Sequence, residues 1–141
     1  NSVIGEVSKE VKQVTEQELL SSVSESTRNL WASLRERLAD YPDTSFYTTK
    51  GYVGWKKESI SVCFIHLQKN QIRADILRGY KSEDGVESKG FFNLDDPKGF
   101  ADERSWTWKS GKTGHSYLVK ITDTSDLDYA MYLINQKYES L

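Results

Sequence analysis

The sequence contains few of the residues from which catalytic and metal sites are usually built. It has one cysteine and two histidines among 141 residues, namely Cys63, His66 and His115. A single cysteine excludes an internal disulfide, which favours a reducing, cytoplasmic location. Protein metal sites need histidine, cysteine or carboxylate ligands at close spacing, and the sequence offers no such group. We therefore predict no metal ion and no cofactor.

The sequence also lacks a long apolar run and a strong net charge. Without a stretch of about 18 apolar residues, neither a membrane span nor membrane binding is predicted. The net charge of −2 gives no overall attraction to nucleic acid. Charge is nevertheless uneven, because residues 46–81 contain seven basic and two acidic residues. Such asymmetry is typical of a basic face, although edge-strand lysines that oppose aggregation explain it as well.

Alternating apolar and polar residues predict an antiparallel sheet in the middle of the chain. Strands are predicted at 46–48, 50–57, 60–67, 72–79, 106–108 and 116–121, with a hairpin turn at 68–71 and a polar loop at 81–89. The strand at 60–67 has apolar residues on both faces, which predicts a central strand that is covered on both sides.

Helical spacing predicts helices before and after this sheet. Thr15 and Thr27 are expected to cap two helices in the N-terminal part, and Thr124 or Ser125 is expected to cap the closing helix. The predicted fold is α+β, an antiparallel sheet with N-terminal helices and a C-terminal helix packed on one face. Residues 1–26 are interpreted as a helical extension or linker, and residues 27–141 as a single domain. Valines within residues 1–14 could bind an upstream domain or form a homodimer.

Three patterns resemble catalytic or phosphate-binding motifs, but each has a stronger structural explanation. Cys63 and His66 lie three residues apart on one strand and so point to opposite faces, and Cys63 is interpreted as a small buried hydrophobe. Asp75, Glu87 and Lys89 have the spacing of a metal-dependent nuclease, but two of them fall in the polar loop. Residues 109–114 contain Gly-Lys-Thr without the first glycine of a phosphate-binding loop, which favours a hairpin turn.

Aromatic and basic residues form the most informative pattern. If the sheet brings them together, exposed rings could stack on bases while lysines neutralise phosphate. The alternative is that the tryptophans belong to the core. The candidate binding residues are Lys50, Tyr52, Trp55, Lys56, Lys57, Trp106, Trp108, Lys109, Lys112 and His115.

Short motifs also carry a family resemblance. They are Tyr41-Pro42, residues 50–56 (KGYVGWK), residues 96–99 (DPKG), Gly114-His115 and the segment 126–139. In these the chain resembles a bacterial C-terminal domain family of unknown function. Some members are labelled "predicted transport protein", and others follow a restriction-endonuclease-like nuclease domain. The resemblance spans residues 27–139, apart from the loop at 81–89. It implies a soluble cytoplasmic accessory domain and supplies no catalytic residues.

Together these observations predict a non-catalytic accessory or binding domain that is associated with nucleic-acid processing. Its expected partner is nucleic acid or a nucleotide. A metal-dependent nuclease or hydrolase is the first alternative, and a structural dimerisation domain is the second.

Overall fold

The computed structural model describes residues 14–141, so the predicted contacts of residues 1–13 lie outside the described residues. Within 14–141 the chain forms three α-helices and six β-strands, and the fold is α+β as predicted. The helices are α1 (Glu16–Leu20), α2 (Glu25–Ala39) and α3 (Leu127–Glu139). The strands are β1 (Thr44–Thr48), β2 (Val53–Lys57), β3 (Ile60–Leu67), β4 (Ile72–Lys81), β5 (Asp102–Thr107) and β6 (Thr113–Ile121).

Hydroxyl side chains cap the first two helices. The Glu18 amide donates to Thr15 Oγ1 at 3.1 Å, as predicted for α1. The predicted cap of α2 was wrong, because the Thr27 amide donates to Ser24 Oγ and the helix begins at Glu25. The Thr27 hydroxyl instead donates to the Lys69 carbonyl at 3.0 Å. Thr27 therefore ties α2 to the β3–β4 turn.

The six strands form one antiparallel sheet in the order β1-β2-β3-β4-β6-β5. Short hairpins join β1 to β4 in sequence, and the Gln68 amide donates to the Gln71 carbonyl in the predicted turn. After β4 the chain crosses to the far edge as β5 and returns as β6 between β4 and β5. This crossover decides which residues become neighbours at that end of the sheet.

Helices α2 and α3 cover one face of the sheet, and the core lies between them. Leu34 and Leu38 of α2 are fully buried, as are Ile65 and Ile76 of the sheet. The capping of α3 differs from the prediction, because Asp123 rather than Thr124 or Ser125 accepts the first amide bond, in a 3-10 turn that leads into the helix. The buried residues of α3 are Leu127, Ala130, Leu133, Ile134, Lys137 and Tyr138.

On the side away from β6, strand β4 changes its partner halfway along its length. Its first half pairs with β3 as far as Ile76, opposite Cys63. Beyond that point the segment 86–92 occupies the place of β3, with the Ser88 amide donating to Tyr80 O at 2.8 Å and the Phe92 amide to Arg78 O at 2.9 Å. The sheet therefore opens at a junction between β3 and this returning segment.

Gly79 makes the close approach at this junction feasible. Its φ of +136° suits glycine, and a Cβ atom there would lie 2.7 Å from Ser88 Oγ. The predicted strand 72–79 thus continues through Lys81 in the structure. The predicted polar loop at 81–89 doubles back along it, with an isolated bridge between Lys81 and Glu87.

The second face of the sheet carries the alternate side chains and is covered by neither α2 nor α3. β3 is an interior strand, as predicted, but these helices cover only one of its faces. On the other face Phe64 and His66 are half-buried. Near each edge of this face an aromatic ring lies across a glycine of the neighbouring strand, Tyr47 on Gly54 and Trp106 on Gly114.

Candidate nucleic-acid interface

Three exposed aromatic rings gather where β4 and β5 end and β6 begins. Tyr80, Trp106 and Trp108 are 44%, 37% and 42% exposed. The Trp106 and Trp108 rings meet edge to face with centroids 5.9 Å apart, and the Tyr80 and Trp108 centroids are 5.6 Å apart. We call these three residues the aromatic platform. Large apolar rings that remain in water while touching one another are typical of a binding surface.

Pairing of the backbone with β6 fixes the position of the platform. Tyr80 and Trp106 are both in register with Gly114 of β6, one on each side. A Cβ atom on Gly114 would lie 2.2 Å from the Trp106 indole, so only glycine allows the ring to lie flat there. Trp108 is held by the β5–β6 hairpin, in which its amide donates to the Lys112 carbonyl at 2.9 Å. The platform is therefore built on regular strands and one tight turn.

Two lysines of the same hairpin flank the rings. Lys112 Nζ lies 4.4 Å from the Tyr80 centroid and 5.7 Å from that of Trp108. Lys109 and Lys112, which we call the hairpin lysines, line a groove of about 600 Å³ together with Tyr80 and Trp108. Glu83 brings one opposing charge, because its side chain packs against Gly111 of the hairpin. The predicted hairpin at 109–114 is confirmed, with Gly111 at a φ of +87°.

The remaining predicted residues do not join this cluster. Lys50, Tyr52, Lys56 and Lys57 lie on or beside β2, which is four strand spacings from β5. At about 4.8 Å per spacing this is about 19 Å. Lys56 sits over the Tyr47 ring, whereas Lys57 sits over the Tyr138 ring of α3. The ten predicted residues therefore form two separate groups.

Trp55 is a core residue, as the alternative interpretation of the tryptophans expected. It is fully buried between the sheet and the helices. Its ring stacks on that of Tyr138 with centroids 6.0 Å apart and meets Tyr41 edge to face at 5.4 Å. A ring without exposed surface cannot stack on a ligand, so its inclusion among the binding residues was wrong.

His115 lies behind the platform, on the side of the sheet that faces the segment 86–92. Its Nε2 lies 2.8 Å from Thr113 Oγ1, and its ring meets Phe91 edge to face. Burial, followed by the positive charges of Lys81 and Arg78, lowers the pKa of His115. The imidazole is therefore neutral at pH 7 and adds hydrogen-bonding capacity rather than charge.

A polar network occupies the middle of the second face. Asp75 accepts from the Ser116 hydroxyl at 3.0 Å and lies 3.3 Å from His66 Nε2. Burial alone would raise the pKa of Asp75. The hydrogen bonds from His66 and Ser116 and the charge of Arg104 outweigh burial, so the pKa is lowered. Because the carboxylate lies between the serine and the histidine, the histidine is not placed to activate the serine hydroxyl.

The nuclease residues are not brought together. Asp75 belongs to the network above, whereas Glu87 pairs with Lys81, six residues further along β4. At about 3.4 Å per residue the separation is about 20 Å, too far for one metal ion. Within residues 14–141 no three His, Cys, Asp or Glu side chains form a group that could hold a metal. Cys63 is fully buried, as predicted, and burial raises its pKa.

Sequence reasoning missed Tyr80 and Glu83. The strand was predicted to end at Gly79, because glycine followed by a polar stretch is typical of a turn. Had β4 been extended by two residues, Tyr80 would have joined the aromatic set. The position of Glu83 depends on how the loop folds back onto the hairpin, for which the sequence offers no signal.

Comparison of the chain with protein-family models, with curated proteins and with solved structures gave no match. The resemblance to the bacterial accessory-domain family therefore stays a prediction. In the part of the chain that the structure describes, none of the helices is both long and apolar enough to cross a bilayer.

Proposed function

We propose that this chain is a non-catalytic binding domain that holds single-stranded nucleic acid on the aromatic platform. The observation that carries the proposal is the group of three exposed, mutually packed rings beside the hairpin lysines. Aromatic rings stack on any base, because every base has a π-face. Lysines beside the rings neutralise the phosphates that connect the stacked bases.

The size of the platform supports a short single strand. Tyr80 and Trp106 lie on strands that are two spacings apart, which is about 10 Å. At about 3.4 Å per stacked nucleotide this length suits two or three bases. Duplex DNA hides its base faces inside the stack, so a surface that offers rings favours unpaired bases.

The charge distribution makes binding depend on a few local lysines. The net charge of the whole chain is −2, so there is no general attraction to polyanions. Each phosphate neutralised on a single strand contributes about −0.7 to the slope of log K against log salt. For two hairpin lysines we expect a slope of about −1.4. An accessory role beside a nuclease domain, which the family resemblance implies, would suit such weak and sequence-tolerant binding.

The experiment is fluorescence anisotropy of a labelled oligothymidylate at several salt concentrations. Lys109→Glu with Lys112→Glu should abolish the salt-dependent signal. Trp108→Ala should weaken binding by about 1–3 kcal/mol, the usual cost of losing one stacked base. Trp108 is 42% exposed, so this change should leave the fold intact.

The matched control is Lys56→Glu with Lys57→Glu, which makes the same charge change on β2, next to the opposite edge strand. We expect this variant to bind within about twofold of the wild type, apart from weak long-range effects that salt screens. The proposal is wrong if the oligonucleotide does not bind at low salt, or if both lysine pairs lower the affinity equally.

A further inference from the structure

A second cavity lies at the junction where β3 leaves β4. It has a volume of about 620 Å³ and is lined in part by Phe64, Leu77, Tyr80, Ser88, Trp106 and Lys137. We call it the junction cavity. Its volume falls in the usual range for small-molecule sites, about 300–1,000 Å³. It shares Tyr80 with the hairpin groove, but Trp108, Lys109 and Lys112 do not line it.

The charged side chains that line the junction cavity are all basic. Lys89 and Lys137 line it, and no acidic side chain of the described residues does. Arg78 also contributes to the lining, but its guanidinium is already engaged by Phe92 O, Asn93 and Glu103. A cavity that excludes carboxylate side chains while admitting lysines attracts an anion.

Lys137 is the unusual residue of this site. It lies on the buried face of α3 and is only 6% exposed. Its ammonium makes no hydrogen bond or ion pair with a described residue, and it lies 5.4 Å from the centroid of the Phe92 ring. Burial lowers its pKa. A buried cation without a counter-charge lowers stability unless a ligand supplies that charge.

Two ordinary explanations cover part of this arrangement. A lysine in the last turn interacts favourably with the helix dipole, and its stem can cover apolar surface. Neither places an anionic group beside the ammonium of a residue that is only 6% exposed. The rest of the lining is suited to a ring, because Phe64, Tyr80 and Trp106 offer aromatic surface and Ser88 offers a hydroxyl.

We propose that the junction cavity binds a small organic anion that carries an aromatic ring, with the anionic group at Lys137 and the ring among Phe64, Tyr80 and Trp106. A mononucleotide or an aromatic carboxylate has this chemistry. The site shares Tyr80 and Trp106 with the aromatic platform, but Trp108 and the hairpin lysines take no part in it.

The test is isothermal titration calorimetry of the whole chain with four probes. AMP and benzoate join a ring to a phosphate or a carboxylate, whereas adenosine has only the ring and inorganic phosphate only the charge. We expect AMP or benzoate to bind, and adenosine and phosphate to bind at least tenfold more weakly. Which of the two anions binds identifies the anionic group that Lys137 accepts.

Lys137→Met removes the charge and keeps most of the length of the side chain. It should weaken binding of the preferred anion by about tenfold or more, as expected for a lost charge-assisted hydrogen bond. The midpoint of chemical denaturation should stay the same or rise, because an unpaired buried charge has been removed. The matched control is Lys98→Met, a lysine over the Tyr129 ring of α3 that does not line the cavity.

The proposal fails if neither AMP nor benzoate binds at millimolar concentration, or if Lys137→Met binds as the wild type does. It also fails if inorganic phosphate binds as tightly as AMP, or if the hairpin-lysine variant alone loses AMP binding. If Lys137→Met does not fold, NMR titration of the wild type decides, because the amide signals of Gly79 and Ser88 should shift while that of Gly54 should not.

Discussion

Replacing Gly114 by alanine should displace Trp106 and weaken oligonucleotide binding. The new methyl group would lie 2.2 Å from the indole, so the ring has to move. Gly54→Ala is the matched change near the other edge, where the methyl group would lie 2.1 Å from the Tyr47 ring. Neither glycine has a positive φ. Alanine is therefore allowed by the backbone at both positions, and the ring clash is the main perturbation.

The expected cost can be worked out from burial. Trp106 is 37% exposed, so about two thirds of a side chain of about 200 Å² is covered. At about 25 cal/mol per Å², complete loss of this contact would cost about 3 kcal/mol. The ring should keep part of its contact, and alanine restricts the unfolded chain by about 0.4–1 kcal/mol in the opposite direction. We expect a net loss of about 1–2 kcal/mol in the free energy of unfolding.

The two variants should separate stability from binding. Urea denaturation should show a similar loss of stability for both, since each forces a ring off a glycine. Anisotropy should show at least a fivefold loss of oligonucleotide affinity for Gly114→Ala, the effect of about 1 kcal/mol of stacking, and little change for Gly54→Ala. Equal affinities for both variants and the wild type would refute the role of Trp106 in the platform.

Two further predictions concern charges. Asp75→Asn should lose about 1–3 kcal/mol of stability in urea denaturation at pH 7, because it disrupts the hydrogen bonds with His66 and Ser116. Since the pKa of Asp75 is lowered by folding, its ionisation stabilises the wild type above the unfolded value of about 3.9. This contribution is lost as the pH falls through the pKa of Asp75 in the folded protein. If the free energy of unfolding falls at acid pH in Asp75→Asn just as it does in the wild type, this prediction is wrong. Glu83→Gln should tighten oligonucleotide binding up to about fivefold, since it removes the opposing charge beside Gly111. Weaker binding in the anisotropy assay would contradict this.

The strands and hairpins could be predicted because their signals are local. Alternation along residues 60–67 and 72–77, with polar residues at 68–71, determined a hairpin without knowledge of the rest of the fold. The same holds for α2, whose Leu30, Leu34 and Leu38 recur at helical spacing and are all buried. The start of this helix was misplaced because two hydroxyl residues, Ser24 and Thr27, compete for the same role.

The candidate site could be predicted only in part, because it depends on the strand order. Trp55 and Trp106 both lie in strands beside lysines, and nothing local distinguishes them. Trp55 is core because it lies on the face that α2 and α3 cover, whereas Trp106 lies on the second face, on the edge strand β5. A pairing between residues 72–81 and 113–121 is non-local, so no window of the sequence contains its signal.

Lys137 was missed for a different reason. Helical spacing places it on the same face as Leu133 and Ile134, but a lysine is excluded from any list of core residues that is chosen by hydropathy. Helical spacing alone would have placed Lys137 among the buried residues of α3. Where position and residue type disagree in this way, a buried functional group is worth testing.

The most direct test of the central claim is an NMR titration that follows the indole N–H signals of the four tryptophans. Trp31 and Trp55 are 2% and 0% exposed, whereas Trp106 and Trp108 belong to the platform. On addition of a single-stranded oligonucleotide, the signals of Trp106 and Trp108 should shift while those of Trp31 and Trp55 stay in place. If the platform signals do not move at a saturating concentration, or if only the buried pair moves, the aromatic platform is not the binding surface.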